Sequence, residues 1–177
     1  AFPRLHRESL LAAREYLAPG SGTAVLDLYC GLGSTLREWT HAGSPSLGVE
    51  LSGEAVKFAA LNAPDATVLR GTCVQRLPQI RDWWEEPAET HVAYVNPPRS
   101  GLESAVTASI ADELRPARIA YLSCSAGTLA RDLVWLVDAG YAVTAIHPYD
   151  FFPLTHHVEA LALLERRGDP ARRASLD

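Results

Sequence analysis

Methionine is absent from all 177 residues, so Ala1 is expected not to be a native start, and a longer parent protein is expected. Cysteine is scarce. Cys30, Cys73 and Cys124 are an odd number with no C-x-x-C spacing, so they make neither a disulfide framework nor a tetrahedral metal site. That usage fits a reducing cytoplasm. No apolar run approaches the length of a membrane span, and Ala1-Phe2-Pro3-Arg4 lacks the apolar core of a signal peptide. Internal repeats, low-complexity tracts and interior linkers are missing as well, which leaves one globular domain over 1–177 with a full-sized core. Positive charge is in deficit: 16 Lys and Arg against 21 Asp and Glu give a formal net charge of −5. This disfavours a whole-surface nucleic-acid binder and leaves room for a local patch, or for a basic domain elsewhere in a longer protein.

What is present is an alternation of strand and helix. Short apolar, β-branched runs at Ala24–Tyr29, Leu47–Glu50, Thr67–Leu69, His91–Val95 and Arg118–Leu122 have the length of buried parallel strands. Helical patterns lie between them at Ser34–His41, Gly53–Asn62, more weakly at Val74–Trp84, then Glu103–Leu114 and Thr128–Asp138. An amphipathic segment at Arg4–Leu17, ended by Ala18-Pro19-Gly20, precedes the first strand as an N-terminal helix within 1–20. After Gly140, Tyr141–His147 and Val158–Glu165 follow without a helix and read as a hairpin; 166–177 is a basic, turn-rich tail. The expected fold is α/β, a doubly wound, mostly parallel sheet of seven strands closed by an antiparallel C-terminal hairpin.

Four strand ends carry the chemistry. Asp27-Leu28-Tyr29-Cys30-Gly31-Leu32-Gly33 ends the first strand in a glycine turn, where the backbone can approach a ligand closely. Glu50 ends the second strand, about twenty residues on, where a carboxylate can accept both hydroxyls of a ribose. The third glycine of a dinucleotide fingerprint is replaced by Leu36, so a nucleoside ligand without pyrophosphate, such as S-adenosylmethionine, fits better. Asn96-Pro97-Pro98-Arg99-Ser100-Gly101 ends the fourth strand; Asn96 offers the donor and acceptor that complement the O4 and N3–H of uracil. Cys124, in Tyr121-Leu122-Ser123-Cys124-Ser125, stands where the fifth strand gives way to a helix, whose free N–H groups and dipole favour a thiolate.

These residues together resemble the S-adenosylmethionine-dependent RNA uracil-5-methyltransferases, which form 5-methyluridine. The resemblance runs from about Leu5 to Arg166. It rests on Asp27-Leu28-Tyr29-Cys30-Gly31-x-Gly33, Pro97-Pro98-Arg99-Ser100-Gly101, Ser123-Cys124 with Thr128-Leu129-Ala130-Arg131-Asp132, and Phe152-Pro153-x-Thr155-x-His157-Val158-Glu159. It implies a Rossmann-like class I methyltransferase fold, S-adenosylmethionine as cofactor, and tRNA or rRNA as partner. It makes Cys124 the nucleophile and Glu159 the base. Asp27, Tyr29, Gly31, Gly33, Glu50 and Asn96 are the expected cofactor residues; Asn96, Arg99, Arg131 and His157 are the expected substrate residues. No metal is expected. The family also carries an upstream RNA-binding domain, often of OB type, outside this sequence. Asn96, Thr72, Ser125 and Leu154 depart from the family, which usually has aspartate, aspartate, asparagine and histidine there.

C5 of a pyrimidine is too weak a nucleophile to take a methyl group unaided, so covalent catalysis through a Cys124–C6 bond is the expected route. A last strand antiparallel to the fifth would start one strand spacing, roughly 5 Å, from Cys124, which places Glu159 beside it. The base must leave the stack to meet both reacting groups. Two other classes fit parts of the sequence: a catalytically weak S-adenosylmethionine- or RNA-binding module, and an amino-group methyltransferase using the Asn-Pro-Pro loop. The latter wants an aromatic residue next, where Arg99 stands.

Overall fold

The computed structural model describes residues 3–151 and 158–168. Helix α1 (Pro3–Leu17) precedes five strand–helix units: β1 (Thr23–Leu28), α2 (Ser34–His41), β2 (Ser46–Glu50), α3 (Gly53–Asn62), β3 (Thr67–Arg70), α4 (Cys73–Trp84), β4 (Thr90–Val95), α5 (Ser104–Ala108), β5 (Arg118–Ser123) and α6 (Ala126–Asp138). Strands β6 (Tyr141–Tyr149) and β7 (Glu159–Arg166) follow as the hairpin. The order across the sheet is β3-β2-β1-β4-β5-β7-β6. All pairs are parallel except those of β7, which runs antiparallel to both β5 and β6.

Strand β1 is central, and Ala24 to Leu28 are buried without a break, because helices cover both faces. Alternate side chains go to opposite cores. Leu26 and Leu28 join α4, α5 and α6 through Leu77, Ile80, Val106 and Leu129; Val25 joins α1, α2 and α3 through Leu17, Trp39 and Ala59. The chain moves from β1 outward to β3 and then crosses to β4 on β1's other side. That reversal opens a crevice beyond the carboxyl ends of β1 and β4, where α/β sheets bind ligands.

The expected elements form, with two differences of detail. Helix α4 is firmer than its apolar pattern implied: Thr72 and Gln75 close a capping box at its start, which offsets the interior Pro78. The expected helix at 103–114 is α-helical only through Ala108, then turns π-helical over Ser109–Leu114. Glu113 explains the wider turn. It accepts from Ser109 Oγ at 2.8 Å and from the Arg81 guanidinium at 2.6 and 2.9 Å, and the Arg115 N–H reaches back five residues to the Ile110 carbonyl. The Trp84 indole N–H then closes the end by donating to the Leu114 carbonyl at 2.7 Å.

Candidate active site

The turn after β1 is built on backbone that side chains rarely adopt: φ is 62° at Tyr29, 55° at Gly31 and 78° at Gly33. The two glycines are there for different reasons. A Cβ at Gly33 would stand 2.7 Å from the Ala59 Cα, whereas one at Gly31 would meet nothing within 4 Å. Gly33 thus lets α2 and α3 pack, and Gly31 keeps an open approach. Glu50, at the end of β2, accepts from the Gly31 N–H at 3.1 Å and from the Ser52 N–H at 2.7 Å, so its carboxylate is fixed by backbone donors. Each oxygen keeps a further lone pair for a ligand hydroxyl. A cavity of about 380 Å³ opens there, lined by Tyr29, Glu50, Leu51, Cys73, Asn96 and Glu103 among others.

Asp27 does not belong to that cavity, which corrects its expected role in holding cofactor. It is fully buried, and its Oδ2 accepts from the Trp39 indole N–H at 2.8 Å. Burial pushes its carboxyl up to about 7. The residue organises the sheet and α2 beneath the turn. Tyr29 is in the cavity, and its hydroxyl donates to Glu103.

The second half of the site comes from the far side of the switch point. Cys124 is half-buried in the bend between β5 and α6. Ser123 pairs with Ala160 as the last pair of the antiparallel register; Cys124 follows Ser123 in the bend after β5, and Glu159 precedes Ala160 as the first residue of β7. Glu159 is 9% exposed; burial raises its carboxyl above the ordinary range, and the Arg99 charge partly counters this. Burial also pushes the Cys30 and Cys73 thiols up, which sets both against a nucleophilic role. Asn96 is exposed in the cavity wall, its N–H donating to the Leu28 carbonyl at 3.2 Å.

Arg131, expected at the substrate, also holds the protein together, with its side chain 57% exposed. Its guanidinium donates to Asp132 Oδ1 at 2.7 Å and to the Ser100 and Leu102 carbonyls at 3.0 and 3.3 Å. Asp132, buried, in turn accepts from the Leu102 N–H at 2.9 Å and the Tyr121 hydroxyl at 2.6 Å. The pair fastens the loop after β4 to α6. His157 and its expected substrate contact lie outside the described residues. Sequence reasoning missed Glu103, which read only as a helix start. It also missed the capping role of Thr72, although the spacing Thr72-x-x-Gln75 carries that signal. Among the described residues, no group of three or more His, Cys, Asp or Glu could hold a metal ion, and no helix is long and apolar enough to cross a membrane.

The strand order, the reversed β7 and the crevice at the switch point define a Rossmann-like class I methyltransferase fold. It superposes on the precorrin-6y C5,15-methyltransferase of Geobacter metallireducens with a TM-score of 0.69 over 90% of this chain and 88% of that one, at 14% identity, a likeness of fold alone. The tRNA (uracil-5-)-methyltransferase profile matches residues 70–167, more than half of the sequence, and the chain belongs to that family. An RNA methyltransferase of Enterococcus faecalis, itself described as uncharacterized, is 35% identical over 161 residues, 88% of this chain and 34% of that protein. The crystal structure of Pyrococcus abyssi tRNA (uracil-54, C5)-methyltransferase in complex with S-adenosyl-L-homocysteine matches with a TM-score of 0.69 at 27% identity, over 89% of this chain and 38% of that one. The chain spans about a third of the length of the curated relatives it matches.

Proposed function

We propose that this domain methylates C5 of uridine in tRNA or rRNA, with S-adenosylmethionine as methyl donor and Cys124 as covalent catalyst. The observation that supports the proposal is the Ser123–Ala160 pair that ends the β5–β7 register, with Cys124 one residue beyond it on one side and Glu159 one residue beyond it on the other, at the end of β5 that matches the cavity-lining end of β4. The residues present fit the cofactor: Glu50 for the ribose hydroxyls, the open face at Gly31 for close backbone approach, and the cavity walls for the base. When bound, S-adenosylmethionine supplies an electrophilic sulfonium methyl group.

The chain's own residues do the rest. Cys124, as thiolate, adds to C6 of the uracil; the C5–C6 π electrons pass to O4, and C5 becomes nucleophilic in the enolate. Asn96 can donate to O4, where that charge collects, and accept from N3–H. Once C5 is methylated, Glu159 takes the C5 proton, the C5–C6 double bond reforms and Cys124 leaves as thiolate. Burial suits Glu159 to this step, since a carboxyl raised towards neutrality is a better base than an ordinary one.

The test uses RNA carrying 5-fluorouridine, whose C5 substituent cannot leave as a proton. With S-adenosylmethionine, the wild type should accumulate a protein–RNA adduct detected by mass spectrometry, and Cys124→Ala should form none. With ordinary uridine, Glu159→Gln should hold an adduct that turns over slowly. Equal adduct yield in wild type and Cys124→Ala would overturn the mechanism.

A further inference from the structure

The cavity is bordered by a second carboxylate, Glu103, that no step above requires. Glu103 stands just before α5, yet its side chain does not turn back to cap that helix. It reaches across to the Tyr29 hydroxyl, its only hydrogen-bond partner among the described residues. Tyr29 is held at φ 62°, a conformation unusual for an aromatic residue, and strain of this kind persists where the surroundings fix it and a site uses it. An ionised carboxylate accepts about four hydrogen bonds, so one phenol leaves Glu103 with acceptor capacity facing the cavity.

The neighbours indicate what would fill it. A ribose held by Glu50 sends its base one way and its 5′ arm the other. The 5′ arm belongs with the turn at Gly31. The remaining walls are Val49, Leu51, Pro97 and Pro98, apolar and suited to a planar ring, with Gly71, Thr72 and Cys73 beside them. Thr72 is already committed there: its hydroxyl accepts from the Gln75 N–H at 3.1 Å and its N–H donates to Gln75 Oε1 at 3.1 Å. Asn96 is taken up by the uracil.

We propose that Glu103, positioned by Tyr29, accepts a hydrogen bond from the exocyclic 6-amino group of the cofactor's adenine and selects adenine over 6-oxopurine nucleosides. This inference rests on the proposal that the domain binds S-adenosylmethionine.

The experiment is calorimetry with S-adenosylhomocysteine and with its 6-oxo analogue, S-inosylhomocysteine, on the wild type and on Glu103→Gln. A carboxylate facing O6 leaves two acceptors opposed, so the wild type should prefer the adenine ligand by roughly ten- to hundredfold. Glu103→Gln can present its amide N–H to O6, so the preference should vanish or invert, an exchange that a merely structural glutamate would not produce. A wild type that binds both ligands equally, or a preference unchanged in Glu103→Gln, would overturn the assignment of Glu103 while leaving the cofactor proposal standing. No binding of S-adenosylhomocysteine to the wild type would overturn both.

Discussion

Asp27 is a carboxyl group inside the protein whose Oδ2 accepts from the Trp39 indole N–H; burial is the largest influence on it, and the Thr35 and Trp39 side chains only partly counter it. Its folded-state value of about 7 lies above the ordinary 3.8, so between those values the native state holds a proton that the unfolded chain releases. Stability from this group is complete below about 4 and is lost as the pH rises towards 7, on the order of 1 kcal/mol per pH unit, then levels off. Asn at this position keeps an acceptor for Trp39 without the charge. Urea unfolding should show the stability of Asp27→Asn gaining on that of the wild type between pH 5 and pH 7; a constant difference would count against the buried charge. The turn glycines give a second residue-scale expectation. Gly33→Ala, facing the Ala59 backbone, should lose roughly 2–4 kcal/mol in the same assay. Gly31→Ala should cost only about 1 kcal/mol and yet weaken S-adenosylhomocysteine binding, because its Cβ enters the ligand's approach.

Among the elements, the loop after β4 depends on its anchor in α6. Arg131→Ala should lower the melting temperature and the rate of methyl transfer together, since the Ser100 and Leu102 carbonyls lose their donor. The salt dependence of RNA binding should not change; a phosphate contact would instead lower the log–log slope by about one. The same residue shows where the sequence stops being legible. Apolar period and length sufficed for β1, β2, β4 and β5, because a covered parallel sheet leaves continuous apolar runs; β3, expected to be buried, forms where expected but lies at the sheet edge with no fully buried residue, and β6 at the other edge is largely exposed. The glycine turn after β1 and Glu50 marked the crevice because they stand at strand ends beside the switch point, where the cavity opens. Arg131 and Asp27 carry the same charged groups whether they face RNA, cofactor or core, and only the three-dimensional partners decide which. The π turn at Ser109–Leu114 depends on Arg81, far off in sequence, so no local pattern foretold it.

Across the whole molecule the formal charge is −5, a poor match for a polyanion. The chain spans about a third of the length of the curated relatives it matches. This domain alone should therefore bind S-adenosylhomocysteine well and tRNA only weakly, with dissociation constants around 10⁻⁴–10⁻⁶ M, the non-specific range, and a shallow salt slope. Filter binding at two salt concentrations checks this, and a steep slope would put the phosphate contacts on this surface.

Strand β7 enters the sheet between β5 and β6 against the direction of all its neighbours, and Glu159 is its first residue. During synthesis the cofactor walls, from β1 to the loop after β4, leave the ribosome before this strand does. On the proposed mechanism, the chain in that interval carries Cys124 without Glu159. If Glu159 is the base, an adduct formed in that interval has no route to product, so the last strand of the chain to be made decides when the first turnover can finish.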